Sequence, residues 1–107
     1  MNRGDIYWVN LEPTQGAEIR KKRPCVVVSA TPINRARHTV VVVPLSTEAK
    51  PHPPIAIPVE CLGRQAVAIC DQIRAVDKTR LLKLEGYLSI TDLEALDEGI
   101  KQVLSLD

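Results

Sequence analysis

The chain has 107 residues, of which 45% are hydrophobic, and this is enough apolar material for one domain with one modest core. Its 14 Lys and Arg against 13 Asp and Glu leave a net charge of +1, but residues 1–84 carry +6 and residues 85–107 carry −5. No apolar stretch approaches the roughly 18 residues that span a bilayer and the N-terminus lacks a secretory pattern, so a cytoplasmic protein is expected.

The first predicted strand covers residues 5–11, which are aromatic and β-branched and end at Glu12-Pro13. A polar loop is predicted to follow, extending to Arg23. Residues 25–29 then form an apolar run without alternation, which is typical of a strand buried on both faces. This strand is expected at the centre of a sheet.

The middle of the chain predicts one helical turn over residues 31–35 and a strand over 39–45. Three prolines prevent residues 46–54 from pairing in a sheet, so this segment is predicted to be a loop. Residues 55–59 are predicted to be an edge strand, because Pro58 lacks the amide hydrogen that an interior ladder needs.

The last third of the chain predicts a strand over residues 66–70, a polar stretch over 71–74 and a final strand over 82–88. Ser89 or Thr91 then caps a helix whose apolar residues recur at helical spacing. Five or six short strands and one terminal helix predict a mainly β protein, a small antiparallel barrel with a C-terminal α-helix.

Several kinds of site are disfavoured by the residues present. His38 and His52 are isolated, and no Cys or His pair has the spacing of metal ligands, so no metal is expected. The three cysteines, Cys25, Cys61 and Cys70, are odd in number and lack paired spacing, which favours buried reduced thiols. The glycines are scattered, so no phosphate-binding loop is predicted.

With these sites disfavoured, the remaining candidates for chemistry are Glu18 and Arg23, acting by acid–base catalysis. The two residues lie in one predicted loop just before a buried strand. Hydroxyl groups at Ser46 and Thr47, at the exit of another apolar strand, are suited to donate to a phosphate. The alternative on the residues alone is that Glu18 and Arg23 form a surface ion pair, which contributes under about 1 kcal/mol.

Five blocks of the sequence resemble the MazF/PemK/Kid family of toxins, in the family's order and at near-family spacing. They are Arg3-Gly4-Asp5-Ile6-Tyr7-Trp8 with Leu11-Glu12-Pro13, Gly16-Ala17-Glu18, Arg23-Pro24 before apolar residues, Val43-Pro44-Leu45-Ser46-Thr47, and Asp71-Gln72-Ile73-Arg74. The resemblance extends over nearly the whole chain and implies one toxin domain over residues 1–107.

The resemblance implies an SH3-like barrel that forms a homodimer and acts as the toxin of a type II toxin–antitoxin system. It further implies a sequence-specific endoribonuclease that cuts single-stranded messenger RNA without a metal or other cofactor. In such enzymes the ribose 2′-hydroxyl attacks the neighbouring phosphate and leaves a 2′,3′-cyclic phosphate and a 5′-hydroxyl. The implied partner is a cognate antitoxin whose acidic C-terminal segment covers the RNA groove.

Residue by residue, the resemblance makes Arg23, Glu18 and Ser46 the catalytic candidates. Arg23 would stabilise the charge on the phosphorus, Glu18 would take the proton of the 2′-hydroxyl, and Ser46 stands where most relatives have threonine. The candidates for RNA binding are Thr47, Lys50, Asp71, Gln72 and Arg74. For Arg74 the alternative is that it braces the sheet through Asp77.

The chain departs from one branch of the family at two positions. That branch has a histidine before the loop glutamate and an arginine two residues before the aspartate of the last block, where this chain has Ala17 and Ile69. Asp71 therefore lacks its usual arginine partner, which favours the arrangement of Glu18, Arg23 and Ser46.

Two other classes of function are compatible with a barrel of this size. One is a non-catalytic toxin that inhibits a protein target such as DNA gyrase, as the structurally related CcdB toxins do. The other is a plain RNA-binding barrel.

Overall fold

A computed structural model of the chain describes residues 1–106, and Asp107, the last residue of the predicted domain, lies outside them. The strands are β1 (Asp5–Asn10), β2 (Lys22–Val27), β3 (Thr39–Ser46), β4 (Ala56–Cys61), β5 (Arg64–Ile69), β6 (Arg74–Asp77) and β7 (Leu81–Tyr87). The α-helices are α1 (Thr31–Ala36) and α2 (Ile90–Val103), and two 3₁₀ turns cover Cys70–Gln72 and Lys78–Arg80.

All of the strands belong to one antiparallel sheet in the order β4-β5-β3-β2-β1-β7, with β6 also paired to β3. The long strand β3 is the centre of this arrangement. Its first half pairs with β6 and its last two residues pair with β5, so the 3₁₀ turn at Cys70–Gln72 falls between these two pairings. This turn is consequently placed beside the end of β3.

The sheet curls into a half-barrel, so that its two ends approach each other. The β4–β5 turn consists of Leu62 and Gly63, both in the left-handed region with φ of 54° and 78°. A Cβ built on Gly86 of β7 would lie 3.4 Å from Cδ2 of Leu62, so the turn at one end of the sheet lies against the edge strand at the other. The predicted small barrel with a terminal helix is confirmed in this form.

The curled sheet is covered by apolar side chains on both faces. One core cluster joins β-strand residues such as Val43 and Ile57 to Leu96 of α2. A second cluster, on the other face, contains Cys25 together with Val9 and other valines of the central strands. All three cysteines are buried and free, as predicted. Successive residues of the central strands point to opposite faces of the sheet. Because both faces are buried, the sequence of these strands is apolar without alternation.

Helix α2 is fastened to the sheet at several points. Ser89 caps it by accepting a hydrogen bond from the backbone N–H of Asp92 at 3.1 Å, and Asp92 accepts one from the N–H of Glu60 at 2.9 Å. Asp97 forms an ion pair with Arg3. Neither helix among residues 1–106 combines the length and the apolar character that crossing a bilayer requires.

Most strand boundaries differ from the sequence prediction by one to three residues, and the differences at β2, β3 and β6 bear on the site. Strand β2 begins at Lys22, so Arg23 lies in a strand and not in the preceding loop, because the β1–β2 ladder continues through the pairs Val9 with Arg23 and Asn10 with Lys22. Ser46 is likewise the last residue of β3. The seventh strand, β6, is four residues long and was not predicted, since its polar sequence resembles a turn until it pairs with β3.

Candidate active site

The loop between β1 and β2 folds into a tight turn at Glu18. The N–H of Glu18 donates to the carbonyl of Gln15 at 3.2 Å, and the N–H of Gln15 donates to Oε1 of Glu18 at 2.9 Å. The Glu18 side chain is exposed, and this hydrogen bond occupies only one of its two carboxylate oxygens. A carboxylate accepts several hydrogen bonds, so Oε2 remains free to accept a hydrogen bond from a ligand.

The side chain of Gln72 holds this loop from both sides of Glu18. Its Oε1 accepts a hydrogen bond from the N–H of Ile19 at 3.2 Å, and its Nε2 donates to the carbonyl of Ala17 at 3.4 Å. Because Gln72 belongs to the 3₁₀ turn beside the end of β3, it fixes the loop against that end. Gln72 was predicted to bind RNA, but the structure engages both ends of its amide with the backbone around Glu18.

Arg23 lies near the start of β2 and is half-buried. Its Nε donates to the carbonyl of Arg20 at 3.1 Å, which holds the guanidinium in one orientation. Neither terminal nitrogen of Arg23 has a hydrogen-bond partner among residues 1–106. These nitrogens carry donors in a planar fork that matches two oxygens of a phosphate.

Ser46, at the end of β3, is only 8% exposed, and its Oγ accepts hydrogen bonds from the N–H groups of Glu48 at 3.2 Å and Ala49 at 3.1 Å. These two bonds use the acceptor capacity of the hydroxyl oxygen. The side-chain hydroxyl of Ser46 is therefore left available as a hydrogen-bond donor.

Arg23, Ser46 and Gln72 meet in one depression of about 350 Å³, here called the Ser46 depression. The depression is also lined by Ile19, Glu48, Ala49 and Ile69. Arg23 is the one cationic residue among the described residues that line it. Ile69, at the position where one branch of the family has arginine, presents an apolar side chain to this site instead.

Glu18 and Arg23 do not form the surface ion pair that was the alternative reading of the sequence. Among residues 1–106 the one pair of opposite charges in contact joins Arg3 to Asp97, far from this site in the sequence. The alternative is therefore wrong for this structure, since each of the two side chains bonds to backbone groups of the β1–β2 loop.

The remaining predicted RNA-binding residues lie in different environments. Thr47, Lys50 and Asp71 are exposed, and Thr47 lines a second pocket that adjoins Arg23. Arg74 is half-buried, and its Nη1 donates to the carbonyl of Leu11 at 3.3 Å. The alternative prediction that Arg74 contacts Asp77 is wrong. Arg74 donates to a backbone carbonyl, and Asp77 accepts hydrogen bonds from Thr79.

The base of the β1–β2 loop is closed by residues that the sequence did not single out. The N–H of Leu11 donates to the carbonyl of Lys21 at 3.0 Å, and the N–H of Lys21 donates to Oε1 of Glu12 at 2.9 Å. Arg80 also donates to the carbonyls of Asn10 and Glu12. These contacts of Glu12 and Arg80 with backbone groups depend on the fold and were not predicted from the sequence.

Residues 1–106 contain no group of three or more His, Cys, Asp or Glu side chains placed to hold a metal ion. Metal independence therefore stays a prediction about the reaction, to be tested with a chelator.

Comparison with known proteins decides the family. The sequence pattern of the family described as "PemK-like, MazF-like toxin of type II toxin-antitoxin system" matches residues 2–104. The chain is also 36% identical to endoribonuclease MazF9 of Mycobacterium tuberculosis, over 99% of this chain and 98% of that protein.

The chain belongs to the PemK-like, MazF-like toxin family. A second relative of this family, the endoribonuclease MazF of Staphylococcus saprophyticus, is 32% identical over 99% of this chain and 92% of its own length. The predicted type II toxin with endoribonuclease activity is confirmed by these relatives, and the gyrase-inhibitor alternative is not favoured.

Solved structures of PemK-like, MazF-like toxins confirm the fold. MazF from Deinococcus radiodurans superposes with a TM-score of 0.88 at 22% identity, covering 99% of this chain and 97% of that one. An endoribonuclease from a mycobacterial species, solved in complex with its cognate antitoxin, superposes with a TM-score of 0.83 at 21% identity, covering 100% and 97%.

Proposed function

We propose that this toxin cleaves single-stranded messenger RNA at the Ser46 depression, without a metal, by attack of a ribose 2′-hydroxyl on the adjacent phosphate. The observation that carries the proposal is that the free guanidinium nitrogens of Arg23 and the donating hydroxyl of Ser46 line the same small depression. A phosphate placed there receives donors on its oxygens, and Glu48 is the one other charged residue that lines the depression among residues 1–106.

The chemistry assigned to Arg23 is electrostatic. As the 2′-oxygen bonds to phosphorus, negative charge develops on the non-bridging oxygens, and donors held in place stabilise that charge most. The bond between Nε and the Arg20 carbonyl provides this preorganisation. The guanidinium has a pKa above about 12 and is a poor proton donor, so its assigned role is charge stabilisation.

Glu18 is assigned the role of the general base that takes the proton of the 2′-hydroxyl. Its Oε2 is free, and the Gln72 clamp holds its loop at the edge of the depression, where Ile19 is a lining residue. The 5′-oxygen of the leaving nucleotide takes a proton from water as the bond to phosphorus breaks. The products are a 2′,3′-cyclic phosphate and a 5′-hydroxyl, and no water is consumed at the phosphorus.

Thr47, Lys50, Asp71 and Arg74 are proposed to contact RNA beyond the cleaved bond, with Thr47 nearest to the site because it lines the pocket adjoining Arg23. Arg74 holds the Leu11 carbonyl and would contribute mainly through its charge. The family's cognate antitoxin, with an acidic segment, is proposed to bind the same basic surface. A cytoplasmic location follows for a single toxin domain of residues 1–107 that acts on messenger RNA.

A homodimer is proposed for the same protein. Strand β7 pairs only with β1 among the described strands, so its other edge is open, and its apolar side chains Leu82, Leu84 and Tyr87 are 48%, 53% and 80% exposed. An open edge strand with exposed apolar residues is a surface that proteins generally cover.

The proposed function is tested by incubating the protein with a messenger RNA in EDTA and analysing the ends of the fragments. Cleavage that leaves cyclic phosphates is expected for the wild type. For Arg23→Ala the rate should fall about 100-fold or more, the loss typical when one oxyanion donor is removed. Arg35→Ala, which removes an exposed guanidinium from α1, is the matched control and should cleave normally.

Two further variants separate the roles of the hydroxyl and the carboxylate. Ser46→Thr keeps the hydroxyl and should retain activity, whereas Ser46→Ala should lose it. Glu18→Gln keeps an acceptor for the Gln15 N–H but cannot take a proton, so cleavage should slow while the fold is unchanged. Full activity in both Arg23→Ala and Glu18→Gln would refute the site assignment.

A further inference from the structure

A second pocket meets the Ser46 depression at Arg23. It has a volume of about 350 Å³ and is here called the Trp8 pocket, after the aromatic side chain in its wall. Arg23 is the one residue of the described part of the chain that lines both cavities. An RNA strand whose phosphate contacts Arg23 in the Ser46 depression therefore has this pocket beside it.

The interior of the Trp8 pocket is apolar. Its lining includes Pro24, Leu45, Cys61 and Ala66, and the indole of Trp8 remains 37% exposed. An exposed indole among apolar side chains is suited to stacking with a nucleobase, and one stacked base contributes roughly 1–3 kcal/mol in single-strand binding proteins.

The charged side chains that line the pocket among residues 1–106 are all basic. Lys21, Lys22 and Arg64 line it together with Arg23, and no carboxylate does so among the described residues. This charge complements the phosphates on either side of a bound base. The same charge disfavours an apolar segment of a second copy of this chain, whose burial here would desolvate four cations without partners.

Two of the lining residues are held in left-handed backbone conformations that L-residues rarely adopt. Lys21 has a φ of 71° and Leu62 a φ of 54°. The backbone bonds of Lys21 to Leu11 and Glu12 maintain the first, and the Leu62-Gly63 turn maintains the second. Strained positions of this kind concentrate where a site requires a particular side-chain direction.

The charged side chains of the pocket favour one class of base edge. Lysine and arginine only donate hydrogen bonds, so Lys21, Lys22 and Arg64 favour a base that presents acceptors. Guanine offers O6 and N7, and uracil offers its carbonyl oxygens. Adenine and cytosine place an amino donor at the corresponding edge, where it would face other donors.

We propose that the Trp8 pocket binds the nucleobase next to the cleaved phosphate and accepts guanine or uracil in preference to adenine or cytosine, with Arg64 contacting the carbonyl edge. This inference rests on the proposed function, because it takes Arg23 as the residue at the cleaved phosphate. It makes Trp8 and Arg64 specificity residues of the reaction.

Because Trp8 is the only tryptophan in the chain, its fluorescence reports on the pocket directly. The probe is a set of short RNAs that differ in the one base beside the cut bond and carry a 2′-deoxynucleotide there to prevent cleavage. RNAs with guanine or uracil at this position should quench the fluorescence of Trp8 and bind at least about fivefold more tightly than RNAs with adenine or cytosine there. Inosine, which replaces the amino group of adenine with an oxygen, should restore tight binding.

Cleavage mapping on a randomised RNA gives a second readout. Arg64→Ala should reduce the preference for guanine and uracil at that position alone, by at least about fivefold, while Arg35→Ala leaves it unchanged. Lys21→Gly removes a charge at a φ where glycine is unstrained, so folding is not endangered. It should weaken binding of every RNA in the set and reduce the slope of affinity against salt by about one.

The possible failures differ from one another. Cleavage by the wild type with an unaltered base preference in Arg64→Ala overturns this inference and leaves the proposed function standing. Absence of any RNA cleavage by the wild type overturns both. A Trp8 signal that changes with protein dilution but not with RNA also overturns the inference, since a second copy would then cover the pocket.

Discussion

At the scale of single residues, the sequence predicted side chains that the fold brings together, but it did not predict their hydrogen-bond partners. Arg23 and Ser46 were chosen by residue type and resemblance, and they line one depression. The partners of Glu18 and Gln72 could not be predicted, because a bond across 53 residues of sequence depends on how the 3₁₀ turn docks beside the loop. Local pattern carries no information on such a contact.

The clamp formed by Gln72 gives a prediction about catalysis. In Gln72→Leu the N–H of Ile19 and the carbonyl of Ala17 lose their partners, so the loop carrying Glu18 is held less firmly. We expect kcat to fall about tenfold while KM changes little, since each neutral hydrogen bond contributes about 1 kcal/mol. Single-turnover cleavage of a short RNA at several concentrations measures both.

The control for this variant is Gln102→Leu, which changes an exposed glutamine of α2 and should leave both constants unaltered. A rise in KM with constant kcat in Gln72→Leu would show instead that Gln72 contacts the RNA itself, as the sequence suggested.

The buried thiols give a prediction about pH. Burial raises the pKa of Cys25 to about 12 and that of Cys70 to about 11, from an ordinary value of 9.0. Above pH 9 the unfolded chain releases thiol protons that the folded chain retains, so the free energy of unfolding must fall as the pH rises from about 9 to about 12. Urea unfolding between pH 8 and pH 11 should show this loss.

Cys25→Ala isolates the contribution of the most strongly shifted thiol, because lysines and tyrosines titrate alike in both proteins. The variant should be less stable at pH 8 but lose less stability per pH unit above pH 9. Parallel stability curves for the two proteins would contradict the burial argument.

At the scale of secondary structure, the strands with uniform apolar or alternating sequence were predictable and those defined by pairing alone were not. The core of β2 was recognised from its valines, whereas its first residues, Lys22 and Arg23, are polar and belong to the strand only because β1 continues opposite them. Strand β6 exists for the same reason. Helix α2 was predicted with its cap because both signals are local.

The packing of α2 on the sheet gives a prediction about stability. A Cβ added to Gly99 would lie 2.8 Å from Cγ1 of Ile57 and 3.1 Å from Sγ of Cys70, so the helix approaches β4 more closely than alanine allows. Overpacking costs about 1–3 kcal/mol, and the better helix propensity of alanine returns at most about 1 kcal/mol. Gly99→Ala should therefore be less stable than the wild type by thermal or urea unfolding.

The matched substitution is Glu98→Ala, one position earlier on the exposed side of the same helix, which should change stability by under about 0.5 kcal/mol. Equal stability of Gly99→Ala and the wild type would mean that Gly99 is not needed for the close approach.

At the scale of the whole molecule, the uneven charge predicted from sequence has a structural counterpart. The acidic residues of 85–107 belong mostly to α2, whereas four cations of the first 84 residues line the Trp8 pocket, and one of them, Arg23, also lines the Ser46 depression. Composition predicted the asymmetry, but only the curled sheet, by placing the β4–β5 turn opposite β2, brings Arg64 to the same pocket as Lys21 and Lys22.

The open edge of β7 gives a prediction about assembly. Leu84→Lys places a charge on the exposed apolar surface of this strand and should convert a dimer into a monomer in sedimentation velocity runs at micromolar concentration. Lys83→Ala, whose side chain lies on the other face of β7, should remain dimeric. A monomeric wild type would contradict the proposed homodimer, and a dimeric Leu84→Lys would place the interface elsewhere.

The most direct test of the account is cleavage of an RNA in which the one nucleotide that supplies the attacking 2′-hydroxyl is replaced by its 2′-deoxy form. The reaction is run in EDTA beside the unmodified RNA. If the ribose hydroxyl is the nucleophile, the unmodified RNA is cut to a 2′,3′-cyclic phosphate and the substituted RNA stays intact at this bond while still binding. Cleavage of the substituted RNA at the same bond would contradict the account, because the attacking group would then come from outside the RNA.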